Sequence, residues 1–376
     1  MSRKLLSYTA IGLVIGSTAI ADVPKVAVDI APVHSLVSRV MEGVGSPKLI
    51  IPAGASPHEY SLRPSEAKSI QDADMVIWMG EDLAPWMENS IETLSKNAEV
   101  ITLLEESGTK LLDFREGVLF EEHDHGDHDD HDDHDDHDKD HDDHDDHDDH
   151  DDHDHDKDHD DHDDHDDHDE HDHDKDHDDH DDHDDHDHDK DHDDHDDHED
   201  HDGHAHGEHD PHAWLSTENA QTWLNLVAGK LSAADPDNAG VYFANAAAAR
   251  EEINDLVKEV NSILEPVRGR NFVVFHDAYQ YFETSFDFPA AGAISLGDAT
   301  DPSAARIAEI QDRVKDEGIN CVLSEPQYNA NLVATVLSGT DAKTGVIDPL
   351  GLGLEPGSKL YGDLIRNMAK ALAGCL

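Results

Sequence analysis

The chain has 376 residues, a formal net charge of −64 at pH 7 and a mean hydropathy of −0.72. Charge of that sign and size repels phosphate and excludes nucleic-acid binding. It is also concentrated: Glu121 to Asp210 hold 30 His, 52 Asp or Glu and 4 Lys, a net −48, which leaves the other 286 residues an ordinary −16.

The N-terminal segment 1–21 reads as a signal peptide. Arg3 and Lys4 precede an apolar run from about Ala10 to Ile20, and the small-residue pattern Ala19-Ile20-Ala21 stands before Asp22. The run falls short of the ~20 residues a membrane span needs, and no Cys follows it to take a lipid. The mature chain is therefore expected to begin near Asp22, in the periplasm, without membrane insertion.

Residues 22–120 alternate short β-branched runs with helical stretches. The runs are Val26–Ile30, Lys48–Ile51, Met75–Trp78 and Val100–Leu103; Pro64–Gln71 and Ala84–Ser95 are the helical stretches. This predicts a parallel sheet wrapped by helices, the first part of an N-terminal α/β domain.

Segment 121–210 interrupts that domain. A tract of His and Asp has no apolar side chains to offset the entropy of ordering its backbone, so it is predicted to be a disordered insert. Its unit DKDHDDHDD recurs with lysines at Lys139, Lys157, Lys175 and Lys190. A repeat without an apolar face cannot stack as a solenoid. Dense imidazole and carboxylate instead suit the insert to hold many metal ions.

The N-terminal domain is completed by 211–235. A linking helix is predicted over 236–266, where Tyr242, Ala246, Ala249, Ile253, Leu256, Val257, Val260, Ile263 and Leu264 fall at three- and four-residue spacings. Such a helix is ~40 Å long and can strut both halves. Residues 267–376 repeat the alternation, with strands at Phe272–Phe275, Ala293–Ser295, Asn320–Leu323 and Gly345–Ile347, and helices at Asp277–Phe286, Pro302–Glu317 and Lys359–Leu372. The expected fold class is α/β, two small parallel-sheet domains joined by a long helix.

Cys321 and Cys375 are the only cysteines. An even pair in an oxidising compartment, without Cys-x-x-Cys spacing, points to a disulfide worth ~4 kcal/mol in the chain-entropy model.

Outside the insert there are four histidines: His34, His58, His212 and His276. His58 lies in the turn PAGASPHEY, His212 follows Pro211, and His276 ends a strand at the edge where open α/β sheets place ligands. The three together are candidate metal ligands. His34 reads as a cleft residue, and Arg63, Asp277 and Glu325 as hydrogen-bonding partners within or near the cleft.

The blocks GASPHEYSLRPSEAKSIQDADMVIWMG (54–80), DPHAWLS (210–216), FVVFHDAYQYFE (272–283), CVLSEPQY (321–328) and DPLG (348–351) resemble a known family. It is the periplasmic zinc-binding component of bacterial high-affinity zinc ABC importers, within the cluster of metal-binding solute receptors. The resemblance implies that His58, His212 and His276 bind Zn²⁺, the one cofactor or cargo expected. It also implies a membrane permease as partner and a receptor, most simply a monomer, that is not an enzyme. Manganese receptors of the same cluster carry a carboxylate at the position of His276, and three imidazoles suit Zn²⁺ better than Mn²⁺. Some zinc receptors have an acidic residue before the first His, where this chain has Pro57. Asp348, in the DPLG turn, is then the expected fourth ligand, with water as the alternative. An extracellular metal-binding adhesin and a manganese receptor are the rival readings. A zinc hydrolase or lyase also uses three His and an open position, but no HExxH, general base or nucleophile constellation accompanies them here.

Overall fold

The computed structural model describes residues 23–115, 209–295, 303–327 and 330–376. The expected signal peptide and residues 121–208 of the expected insert lie outside the described residues. In the first lobe, β1 (Val26–Val28), α1 (Ala31–Val40), β2 (Lys48–Leu49), α2 (Pro64–Gln71), β3 (Met75–Trp78), α3 (Pro85–Leu94) and β4 (Glu99–Thr102) follow one another. They build an all-parallel sheet ordered β2-β1-β3-β4. Every residue of β1 and β3 is buried, as a sheet covered on both faces requires. The ladder outlasts the short second strand, since Ile50 and Ile51 donate backbone N–H to Val28 and Asp29. α2 begins at Pro64, where the lost N–H costs nothing, and Glu66 reaches back to the N–H of Arg63 at 2.7 Å.

After the insert, α4 (Thr217–Ala234) and α5 (Ala239–Leu264) form an antiparallel pair. The apolar runs read above did not announce α4. Yet it buries Ala220, Trp223, Leu224, Val227, Ala228 and Leu231 at helical spacing, and Ser216 caps it by accepting the N–H of Asn219. α5 buries the stripe expected of it from Tyr242 to Leu264 except Val257 and Ile263, which are partly buried, and its 26 residues span ~39 Å.

The second lobe contains β5 (Phe272–His276), α6 (Gln280–Phe286), β6 (Gly292–Ser295), α7 (Ala304–Asp316), β7 (Cys321–Ser324), α8 (Ala330–Val336), β8 (Lys343–Val346) and α9 (Leu360–Cys375). Its parallel sheet runs β6-β5-β7-β8. Alternation along β5 divides two cores: Phe272 and Val274 join the large one shared with the first lobe, while Val273 and Phe275 pack in a smaller one with Ile310, Val314 and Val336. His276, two residues beyond Val274, falls on the side of the large core.

α5 packs against α1 and α4 of the first lobe and α9 of the second, and α1 also meets α9, so one helix is shared by both lobes. Tyr361 of α9 fastens them, its N–H bonded to Ser35 Oγ at 2.9 Å and its hydroxyl to the carbonyl of Trp214 at 3.1 Å. The disulfide Cys321–Cys375, with Cα atoms 5.7 Å apart, ties the end of α9 to β7. Among the described residues no helix is long and apolar enough to cross a membrane.

Candidate metal centre

The three sequence-predicted histidines arrive from separate segments and meet. One ring nitrogen of each of His58, His212 and His276 lies within 4.8 Å of the others. Their ring centroids are 5.3, 5.4 and 6.5 Å apart. The cavity they share has a volume of about 10 Å³ and is also walled by Pro57, Trp214, Gln327, Pro349 and Leu350. That is the scale of one water-sized sphere. It suits an ion with at most a bound water.

His58 is held by its loop. The indole N–H of Trp86 donates to the Pro57 carbonyl at 2.8 Å, and the ring of Tyr60 packs 5.8 Å from that of Trp86. Gly54 has φ +92°, so this turn needs glycine for its conformation, and it lies against the side chain of Leu352.

His212 and His276 are both buried, and each is oriented by a buried carboxylate. Asp210 Oδ1 accepts Nδ1–H of His212 at 2.7 Å and its backbone N–H at 2.9 Å. Glu325 Oε1 accepts Nδ1–H of His276 at 2.5 Å. A carboxylate on Nδ1 fixes the tautomer, which puts the lone pair on Nε2, the atom each ring has for an ion. Trp214, 5.2 Å from the ring of His212, donates its indole N–H to the Pro349 carbonyl and so joins the site to the DPLG turn.

Burial pushes the Asp210 carboxyl up to about 7 against the opposing pull of the His212 N–H and of Arg115. Burial likewise raises Asp277 and Glu283, although Arg115 lies on both. Arg115 bonds Glu283 through Nη1 at 2.7 Å and Asp277 through Nε at 2.9 Å, and its Nη2 also pairs with Asp277. Arg115 stands just before the insert, and Asp210 closes it. Asp210 donates its N–H to the Leu112 carbonyl at 2.8 Å, while Tyr281 accepts the N–H of Leu112 and donates to the Asp210 carbonyl. The stem of the insert is thus sewn to the second lobe immediately behind two of the histidines.

Of the expected site residues, Asp348 is not among the group whose ligand atoms lie within 4.8 Å of one another. Its Oδ1 is spent on its own turn, accepting the N–H of Leu350 at 3.0 Å and of Gly351 at 2.9 Å. Glu325 orients His276 and Asp277 pairs with Arg115, whereas Arg63 is largely exposed at the start of α2. His34 sits in α1 with Nε2 3.3 Å from the Pro47 carbonyl, outside the group. Asp210, Arg115 and Gln327 escaped the sequence reading. Only Asp210, two residues ahead of a candidate ligand, carried a local signal.

Two α/β lobes on one long helix, with three imidazoles converging on an ion-sized cavity, define a metal-binding solute receptor. Residues 26–375 match the family described as zinc-uptake complex component A, periplasmic, and the chain belongs to that family. It is 42% identical over 361 residues to the high-affinity zinc uptake system protein ZnuA of Brucella abortus, covering 96% of this chain and 94% of that protein. The protein of the same name from Paracoccus denitrificans is 43% identical over 357 residues, covering 95% and 93%. A crystal structure of ZnuA superposes with a TM-score of 0.62 at 17% identity, covering 94% of this chain and 99% of that one. FpvC of Pseudomonas aeruginosa, in complex with Mn²⁺, does so with 0.63 at 17%, covering 94% and 98%.

Proposed function

We propose that His58, His212 and His276 bind the Zn²⁺ that this periplasmic receptor captures, with water in the fourth position, and that the chain works as a monomer. The protein is a receptor, not an enzyme, and it delivers zinc to the membrane permease of an ABC importer. What supports the ligand set is the meeting of three imidazoles around one cavity, two of them turned by carboxylates so that Nε2 carries the lone pair. Neutral imidazole nitrogens suit borderline Zn²⁺ and leave hard Mn²⁺ or Ca²⁺ without the oxygens they require. One chain supplies all three rings, so the site needs no second copy.

The His/Asp tract is a store of weaker sites. Each ion there would be held by a tract whose composition supplies no apolar core, which places its affinity on the micromolar scale, ~8 kcal/mol, against ~12 kcal/mol for a nanomolar preformed site. Calorimetric titration of the full chain should show one tight zinc followed by a weak multiple phase. Changing His58, His212 and His276 to alanine should abolish only the tight phase; a surviving tight phase would refute the ligand set. Light scattering on a sizing column checks the monomer.

A further inference from the structure

Three imidazoles leave a tetrahedral ion one ligand short, and Oδ1 of Asp348 accepts two N–H groups of its own turn. Apart from the three rings and the apolar or indole side chains around them, the cavity wall has one polar side chain, Gln327. Its Nε2 donates at 2.9 Å to Oε2 of Glu325, the carboxylate whose other oxygen holds His276. An ionised carboxylate only accepts, so this contact sets the amide: nitrogen toward Glu325, leaving the carbonyl Oε1 as the polar atom for the cavity. An amide carbonyl is a neutral acceptor, and a water on Zn²⁺ is a strengthened donor because the ion lowers its pKa.

We propose that Gln327 governs the fourth coordination position, its Oε1 accepting a hydrogen bond from the water that completes the zinc tetrahedron. One hydrogen-bonded chain then runs from that water through Gln327 and Glu325 to His276, so the ion's fourth ligand and one of its imidazoles are held by the same pair of side chains. Being uncharged, the amide steadies a water without offering the anionic oxygen that would favour a hard cation. The proposal rests on zinc being held by the three histidines.

Cobalt tests it, because Co²⁺ takes zinc sites and its visible bands report coordination number and geometry. One equivalent of Co²⁺ is added to the full chain, to Gln327→Leu and to Gln327→Glu. The chain with all three histidines changed to alanine supplies the background of the insert. Release of Zn²⁺ into excess chelator and the melting temperature of the zinc-free chain are measured alongside. In Gln327→Leu the cobalt bands should change in position and intensity and zinc should leave about tenfold faster, while the zinc-free chain melts lower only by what the lost donor to Glu325 costs, a loss that Gln327→Glu shares. Gln327→Glu keeps an acceptor beside the fourth position but gives up the donor to Glu325; it should retain four-coordinate cobalt bands. Unchanged bands and release within twofold in Gln327→Leu would overturn the proposal. So would losses in Gln327→Glu equal to those in Gln327→Leu, which would assign the amide to steering Glu325 alone. A wild-type cobalt spectrum no stronger than the triple-alanine background would instead sink the ligand set itself.

Discussion

Glu325→Gln isolates what a charged partner contributes to His276. The side chain has no exposed surface; Oε1 takes the imidazole Nδ1–H and Oε2 the Gln327 amide. Glutamine has the same shape but one oxygen and no charge. If its NH₂ faces the imidazole, the ring must shift its proton to Nε2 and lose the lone pair that binds the ion. If its NH₂ faces Gln327, that amide must turn its carbonyl toward it and away from the cavity. Even in the second, milder case a charge-assisted bond, ~1.5–3 kcal/mol, becomes a neutral one of ~0.5–1.5 kcal/mol. A difference of ~1–1.5 kcal/mol raises Kd about tenfold, the lower end of what loss of an orienting partner costs a metal site. Competition with a chromophoric chelator, at one zinc per chain and neutral pH, measures it. The zinc-free chain should melt no lower than wild type, because the change removes a buried charge rather than stranding one. A Kd within twofold of wild type would show that His276 needs no charged partner.

Deleting residues 121–208 should leave the tight zinc phase of a calorimetric titration intact and remove the weak multiple phase; loss of the tight phase would mean that the insert helps build the cleft. Arg115→Met strands Asp277 and Glu283, both buried, and should cost about 3–5 kcal/mol in urea unfolding of the zinc-free chain. A cost under about 1 kcal/mol would show that the clamp contributes little. Asp29, wholly buried in the first lobe, is pushed by burial up to about 7 from 3.8. Between those values the folded chain keeps a proton that the unfolded chain has lost, so this residue's contribution to stability falls as pH rises through the window and levels off above it. Urea midpoints of the zinc-free chain from pH 4.5 to 7.5 should therefore fall less steeply with pH in Asp29→Asn than in wild type, and parallel slopes would contradict the shift.

Short-range order determined much of this protein from its residues alone. The apolar runs at Met75–Trp78 and Phe272–Phe275 became strands because parallel strands covered on both faces must be continuously apolar. The stripe from Tyr242 to Leu264 became the helix carrying both lobes because its period matches 3.6 residues per turn. The composition of the His/Asp tract excludes an apolar core without any coordinates. His58, His212 and His276 stood out because histidines are scarce outside that tract and these lie at a turn, after a proline and at a strand end. What tertiary structure decided is which oxygens those rings meet. Glu325 reaches His276 across 49 positions and Arg115 reaches Asp277 across 162, contacts set by how β5, β7 and α6 pack rather than by any local pattern. Asp348 suits a ligand because a carboxylate in a turn near the cleft has the right chemistry, and tertiary structure shows its Oδ1 accepting two N–H groups of its own turn, two and three residues away. Local hydrogen bonds form wherever the chain brings a donor within reach of an acceptor, whereas a metal site needs donors from distant segments. Only the packed helices and sheets set where those segments meet.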